Sequence, residues 1–275
     1  MDTYCVLGNP VEHSKSPWIH ARFAALTGQP MAYGKRLIAL DGFASAIAAL
    51  RAEGVKGCNI TVPFKFEAAP LASKLSARAL LAQACNVLTF GAHGIEADNT
   101  DGIGLVHDIT GNASTPIAGR EVLLLGAGGA AAGVLGPVLE CGPARLVVAN
   151  RSPERAQSLV TRHADLARKL GVKLHACGLD DVPGAFDIIV NGTASSLSGT
   201  GVPVSAQVLR RGALAVDMMY GPAAQGFLDW AERHGAQPRD GLGMLVEQAA
   251  EAFSIWRGVR PPSSEVLDEL RGILA

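Results

Sequence analysis

Gly126, Gly128 and Ala131 fall at the spacing G-x-G-x-x-A directly after the apolar run Val122–Leu125. Such a run is typical of a buried parallel strand. A glycine at the first position permits a tight turn. One at the second lets backbone approach a pyrophosphate, and a small third residue lets a helix pack closely on the strand. The residues of the turn, Gly126, Ala127, Gly128, Gly129 and Ala130, would lead into a helix whose free N–H groups and positive dipole end favour an anion. The whole stretch Val122–Leu139 is uncharged over the length of a membrane span, but its five glycines and Pro137 argue against a spanning helix.

The next apolar run, Arg145–Ala149, ends in Asn150, Arg151 and Ser152, with Arg155 one helical turn later. Sites for NAD carry an acidic residue about 20 residues beyond the glycines to bind the ribose hydroxyls. A carboxylate there would repel a 2′-phosphate, whereas a guanidinium pairs with one through two parallel N–H bonds. The pattern predicts NADP(H) over NAD(H). The plain alternative is that Arg151 and Arg155 are solvated charges at a helix start.

A second set of polar residues lies near predicted strand ends in the first half: Ser14-Lys15-Ser16-Pro17, Asn59-x-Thr61-x-Pro63-x-Lys65, Asn86, and Asp98-Asn99-Thr100-Asp101-Gly102. Each has an ordinary reading alone. Ser16 suits an N-cap and Pro17 the first helical position. Asp101 is favourable near a helix start, and Thr61 and Asn86 suit strand edges or turns. Lys65 as a solvated helix-start charge is the least comfortable, because the dipole disfavours a cation there. His13 and His20 flank the serines, and positioning or surface roles suit them better than chemistry. Trp18, Trp230 and Trp256 read as packing residues.

The elements that must position these groups alternate between strand and helix, which argues for an α/β architecture. Strands are expected at Tyr4–Gly8, Ala32–Leu37, Gly57–Val62, Asn86–Phe90 and Gly94–Ala97, the last two forming a hairpin. Helices are expected from Ser16 to about Leu26, over Phe43–Ala52, Lys65–Leu71, Ser76–Leu81 and Thr100–Ile109. The polar stretch Gly111–Gly119 precedes the dinucleotide unit. That unit continues through a helix around Pro153–Leu170 and strands near Lys173–His175, Phe186–Val190 and Leu214–Met218, after which a long helix, Met244–Trp256, is expected to pack back on the first domain. Ser264–Leu274 closes the chain as a helix. The expected architecture is two-domain. Residues 1–101 with 242–275 form an α/β substrate domain, residues 102–241 form a Rossmann-type doubly wound NADP-binding domain, and the active site is expected in the cleft between them.

Bulk composition bounds the rest. With 275 residues, 48% hydrophobic and 18% charged, and a net charge of −1, the chain is globular and lacks the basic footprint of a nucleic-acid binder. The N-terminus shows no signal-peptide pattern, and five scattered cysteines without C-x-x-C suggest reduced thiols in the cytoplasm. No zinc-ligand spacing is present. The partners expected are a small-molecule substrate, with neither nucleic acid nor membrane, and the chain is expected to be a monomer or homodimer.

The chain resembles the shikimate dehydrogenase family over nearly its full length. The segments that carry the resemblance are GNPVEHSKSP (Gly8–Pro17), NITVPFK (Asn59–Lys65), DNTDG (Asp98–Gly102), GAGGA (Gly126–Ala130), NRS (Asn150–Ser152) and DGLGMLVEQA (Asp240–Ala249). The resemblance implies reversible NADPH-dependent reduction of 3-dehydroshikimate to shikimate in aromatic amino-acid biosynthesis. It implies that Ser14 and Ser16 hold the substrate carboxylate with Tyr220, and that Thr61, Asn86 and Asp101 bind ring hydroxyls with Gln248 reaching the same site. Lys65 and Asp101 would be the catalytic pair. Asn191, Thr193, Met218, Gly241 and Met244 would line the nicotinamide.

The residue types fit that reaction. As hydride reaches a ketone carbon, charge develops on oxygen, and a cationic lysine stabilises it and donates the proton. In reverse a neutral lysine accepts a proton, for which a free pKa of about 10.4 is high. Burial would lower it and Asp101 would favour the charged form. The residue types leave open how acid, base and orienting roles divide between the two.

Three positions depart from the family pattern. Val87 stands where threonine is frequent, removing a hydroxyl that could support Asn86. Gly192 in Asn191-Gly192-Thr193 replaces an alanine, preserving space but expected to loosen the loop. Gln225-Gly226-Phe227 follows Tyr220-Gly221-Pro222 where a threonine and an apolar pair are frequent. Two alternatives stay open: a quinate- or NAD-using member of the family, and a catalytically silent binding protein. Ser14, Ser16 and the Asn150-Arg151 turn favour shikimate and NADP over the first. Retention of Lys65 and Asp101 weighs against the second.

Overall fold

A computed structural model describes residues 1–193 and 201–274. The chain divides into two units, Met1–Gly104 with Leu245–Ala275, and Leu105–Met244. In chain order the first unit holds β1 (Asp2–Gly8), α1 (Ser16–Thr27), β2 (Met31–Leu37), α2 (Phe43–Ala52), β3 (Gly57–Ile60), α3 (Lys65–Ala68), β4 (Lys74–Leu75), α4 (Ala77–Ala82), β5 (Val87–Gly91) and β6 (Gly94–Asp98). Helix α5 (Asp101–His107) starts in this unit and ends in the second. The second unit holds β7 (Glu121–Leu125), α6 (Gly129–Glu140), β8 (Arg145–Asn150), α7 (Pro153–Leu170), β9 (Lys173–Gly178), β10 (Phe186–Asn191), β11 (Leu209–Asp217), α8 (Gln225–Arg233) and β12 (Gln237–Arg239). Helix α9 (Leu242–Arg257) begins there and returns to the first unit, followed by α10 (Ser263–Leu274).

The first sheet runs β2-β1-β3-β5-β6-β4 and is mixed. Strands β2, β1 and β3 are parallel, and β5 pairs antiparallel with both β3 and β6. On one face Leu7, Cys58, Ile60 and Leu88 pack with Phe43, Ile47 and Leu50 of α2. Phe43 and Phe64 stack there with centroids 5.0 Å apart. On the other face Trp256 of α9 stacks on Tyr4 at 4.6 Å and donates Nε1–H to the Leu88 carbonyl. Gly57 makes this approach possible, since a Cβ there would lie 2.5 Å from the Leu88 oxygen and 2.8 Å from Trp256 Nε1. The late helix therefore does pack on the first unit's sheet.

The second sheet runs β12-β11-β10-β7-β8-β9 and every pair is parallel. Counted within the unit, this is the strand order of dinucleotide-binding sheets, with the switch point between β7 and β10. Its central strands EVLLL, RLVVAN and FDIIVN are near-continuous apolar runs because helices cover both faces. Phe227 and Trp230 of α8 cover Leu123, Val147 and Ile189. Helix α7 buries Ala156, Leu159, Val160, His163 and Ala167 at helical spacing and ends at Gly171 with φ 70°, where the left-handed region favours glycine.

Several local expectations are revised. Ser16 is not the N-cap of α1: Lys15 is, without a side-chain cap bond, and Pro17 falls at the second helical position. The reason is that the Ser14 hydroxyl already accepts the Ser16 N–H at 3.3 Å. Strand β3 stops at Ile60, not Val62, because Phe64 N–H turns back to the Thr61 carbonyl. The helix expected over Thr100–Ile109 becomes α5 followed by a π turn, Asp108–Asn112. The polar stretch 111–119 lies inside the second unit. Strand β12 and helix α8 have no counterpart among the elements expected from sequence.

Candidate active site

Lys65 opens α3, and its carbonyl accepts the Cys85 N–H at 2.8 Å, which ties the start of α3 to the segment entering β5. Asp101 is the first residue of α5, where the helix dipole favours a carboxylate. Lys65 Nζ lies 2.5 Å from Asp101 Oδ2, with the two side chains 13% and 5% exposed. The other carboxylate oxygen, Oδ1, accepts from Asn86 Nδ2 at 2.8 Å. The pair is thus a partly buried ammonium–carboxylate contact whose carboxylate is held on both oxygens.

Asn86 is the hub of the site. Its Nδ2 also faces Thr100 Oγ1 at 3.0 Å and Gln248 Oε1 at 3.2 Å, and its Oδ1 accepts the Thr100 N–H at 2.7 Å. Gln248 of α9 is itself fixed by donating to the Leu245 carbonyl. Thr100 therefore supplies the support that Val87 cannot, and the orientation of the Asn86 amide is determined by three side chains. The turn entering α5 is locked as well. Asp98 Oδ1 accepts from Ser76 Oγ, Arg78 Nε and the Asn99 N–H, and the Asn99 amide donates to the Ala84 carbonyl while its oxygen accepts the Asp101 N–H.

Ser14 and Ser16 sit at the start of α1, with Ser14 Oγ donating to Ser16 Oγ at 3.2 Å. Thr61 follows β3 and is half-buried. Behind this cluster stands Tyr33, which was not assigned from sequence. Tyr33 donates to Asn59 Oδ1 at 2.6 Å, and Asn59 Nδ2 donates to the Asn86 carbonyl at 3.0 Å. His20 stacks flat on Tyr33, with centroids 4.1 Å apart and an 8° interplanar angle, and is fully buried. Burial pushes its imidazole down to about 3, only partly opposed by Asn59. His20 is a neutral packing group, and His13 is exposed.

In the second unit, Gly126 follows β7 with φ 105°, and a Cβ there would lie 2.9 Å from the Gly192 oxygen. Gly128 is the N-cap of α6 with no side-chain cap, and a Cβ there would meet no protein atom within 4 Å. Packing within the protein therefore requires glycine at 126 but not at 128, as expected if position 128 is kept small for a ligand pressed on the helix N-terminus. Gly129 and Ala130 begin α6, and Ala131 is fully buried against the sheet. At the end of β8, Asn150 Nδ2 donates to the Ser152 carbonyl, and Arg151 and Arg155 are exposed without an ion-pair partner among the described residues. These groups fit a phosphorylated dinucleotide.

Around the ends of β10 and β11 the backbone is tightly stitched. Asn191 Oδ1 accepts the Thr193 N–H and hydroxyl at 3.2 and 2.7 Å, and Met218 N–H donates to the Asn191 carbonyl at 2.9 Å. Gly192 N–H donates to the Leu125 carbonyl at 2.8 Å, and a Cβ there would stand 3.2 Å from Met218 Sδ. Gly241 is required by packing, since a Cβ there would fall 2.3 Å from the Met218 carbonyl. Met244 is buried at the start of α9, and Tyr220 is half-buried just after β11. Asp217, a fully buried carboxylate ending β11, is a further residue that sequence reasoning left without a role. An acid closing an apolar strand was the available signal.

Among the described residues no group of three or more His, Cys, Asp or Glu could hold a metal ion, and no helix is long and apolar enough to cross a membrane. All five cysteines are free thiols.

A lysine–carboxylate pair in one unit and a dinucleotide-type parallel sheet in the other define a nicotinamide-dependent oxidoreductase. Three family models match: "Shikimate dehydrogenase substrate binding domain" over residues 6–88, "Shikimate / quinate 5-dehydrogenase" over 108–213, and "Shikimate 5'-dehydrogenase C-terminal domain" over 241–271. A protein of Acidovorax sp. (strain JS42) named Shikimate dehydrogenase (NADP(+)) is 64% identical over 275 residues, covering 100% of this chain and 97% of its own length. Among solved structures, an Ael1 enzyme from Pseudomonas putida is 45% identical with a TM-score of 0.89, covering 98% of each chain. The shikimate 5-dehydrogenase of Thermus thermophilus, in complex with NADP(H) and shikimate, is 28% identical with a TM-score of 0.85 and 100% coverage of both chains. The chain belongs to the shikimate dehydrogenase family.

Proposed function

We propose that this protein is an NADP-dependent oxidoreductase that reversibly reduces 3-dehydroshikimate to shikimate. The observation that carries the reading is the Lys65–Asp101 contact at 2.5 Å, held from behind by Asn86. Bound NADPH supplies the hydride to the ketone carbon. Lys65 Nζ, as an ammonium, stabilises the charge developing on the ketone oxygen and delivers its proton there; in the reverse direction the neutral amine takes it back. Asp101 Oδ2 keeps the ammonium aimed, while Oδ1, fixed by Asn86, keeps the carboxylate from rotating away. Asp101 is thus the orienting partner and Lys65 the acid and base.

Ser14, Ser16 and Tyr220 hold the substrate carboxylate, and Thr61, Asn86, Asp101 and Gln248 read the ring hydroxyls. The Gly126–Ala130 turn takes the pyrophosphate, and Asn150, Arg151, Ser152 and Arg155 take the adenosine 2′-phosphate. Asn191, Thr193, Met218, Gly241 and Met244 line the nicotinamide. The expected place in metabolism is aromatic amino-acid biosynthesis in the cytoplasm, in keeping with five free thiols.

The test is nicotinamide absorbance on mixing purified protein with shikimate or quinate, each with NADP⁺ or NAD⁺. Rapid reduction confined to shikimate with NADP⁺ is expected. A preference for quinate or NAD⁺ would overturn the serine or the arginine assignment, and no reduction in any pair would overturn the catalytic one.

A further inference from the structure

We propose that Asp217 is a positioning residue for the nicotinamide end of the cofactor and that its carboxylate biases the site toward the oxidised, cationic ring. This deepens the NADP(H) reading above and rests on it.

Asp217 ends β11 directly beside Asn191, the last residue of β10, with which it is in register. It is fully buried. Its Oδ2 accepts from Asn191 Nδ2 at 3.0 Å and its Oδ1 accepts the Met219 N–H at 2.8 Å. Two N–H donors on two oxygens suit the acceptor-only, ionised carboxylate. The bond to Asn191 also determines which way that amide points: its NH₂ faces Asp217, so its oxygen faces Thr193. The bond to Met219 shapes the turn after β11, whose Met219 carbonyl accepts the Gly241 N–H at 2.8 Å. One buried side chain therefore sets the residues assigned to the nicotinamide at 191, 193, 218 and 241.

A negative charge held there also acts at a distance. The nicotinamide ring is a cation in NADP⁺ and neutral in NADPH, while the rest of the two molecules is the same. A carboxylate one side chain behind the ring's site attracts only the oxidised form, and low-dielectric surroundings let that attraction persist beyond contact. Loss of the charge should therefore change the discrimination between redox forms. Loss of Asn191 alone should weaken both forms alike.

The experiment is calorimetric binding of NADP⁺, NADPH and adenosine 2′,5′-bisphosphate, which has no nicotinamide, to the full chain. Wild type, Asp217→Asn and Asn191→Ser are compared. For Asp217→Asn the ratio Kd(NADP⁺)/Kd(NADPH) should rise about tenfold, with bisphosphate binding unchanged. For Asn191→Ser both dinucleotides should weaken with the ratio unchanged. An unaltered ratio in an Asp217→Asn protein that still binds the bisphosphate overturns the proposal. Should Asp217→Asn lose the bisphosphate through misfolding, Asn191→Ser decides, and a shifted ratio or undiminished binding there overturns it. Failure of the wild type to bind the bisphosphate would instead overturn the NADP(H) reading.

Discussion

Lys65 and Asp101 stand 36 residues apart in the chain, yet their charged groups are 2.5 Å apart in one partly buried contact. The short contact brings the dipole-favoured start of α5 against a lysine that the start of α3 does not favour electrostatically. The proposed mechanism gives proton transfer to Lys65, so Lys65→Ala should lower kcat by about 10²–10⁴-fold with a modest change in KM. Steady-state rates in both directions measure this. Near-normal turnover would remove Lys65 from the mechanism.

Arg151 and Arg155 are exposed at the end of β8 and the start of α7, where neither has an ion pair among the described residues to give up on binding. Arg151→Ala should therefore weaken NADP(H) by about 1.5–3 kcal/mol, the range for a hydrogen bond to a charged group, and leave NAD(H) nearly unchanged. Kinetics with both cofactors decide it. Equal effects would mean that Arg151 does not read the 2′-phosphate.

How much of this was legible in sequence depended on whether the physical cause was local. The central strands β7, β8 and β10 were readable because burial on both faces demands apolar runs. The glycine turn was readable because strand end, turn and helix start all fall within a few residues. The edge strand β12 was not: Gln237–Arg239 contains Pro238 and no apolar run, and it becomes a strand only by pairing with β11. Asp217, Tyr33 and the contact of Thr100 with Asn86 were missed for a related reason. Their hydrogen-bond partners lie 26, 26 and 14 residues away, which no local pattern encodes. The capping role given to Ser16 failed because a neighbouring hydroxyl, Ser14, competes for the same amide.

His20 and His163 give the fold a pH dependence separate from catalysis. Burial pushes them down to about 3 and about 4, with the Leu159 carbonyl partly opposing the shift at His163 and Arg162 adding to it. Unfolded histidines titrate near about 6.5. Between these values the unfolded chain binds protons that the folded chain refuses, so stability is full above about pH 6.5 and falls as pH drops toward the folded values. Each histidine should contribute up to about 1.4 kcal/mol per pH unit in that window. Urea midpoints from pH 7 to pH 4 should fall less steeply in His20→Phe, which preserves an aromatic face for Tyr33. A parallel pH profile in that variant would exclude His20 as a source of the acid sensitivity.

Asp108, Arg239 and Gly243 form a partly buried latch in the second unit, and its members should not act independently. Arg239 clasps the Asp108 carboxylate through Nε and Nη2 at 2.7 and 2.5 Å, and Asn112 Nδ2 donates to the same group at 3.0 Å. Asp108 is fully buried, so removing the guanidinium with Arg239→Met leaves an uncompensated charge and should cost about 3–5 kcal/mol. A Cβ at Gly243 would fall 1.7 Å from Asp108 Oδ1, and the clasp keeps the carboxylate from turning aside. Gly243→Ala should therefore cost at least about 1–3 kcal/mol as an overpacking change. In the double variant the carboxylate is no longer clasped and can rotate away from the new methyl group. Its loss should then be smaller than the sum of the single losses, by about 0.5–3 kcal/mol. Urea unfolding of the four proteins gives this coupling directly, and strict additivity would show that Gly243 and Arg239 do not act through the same carboxylate.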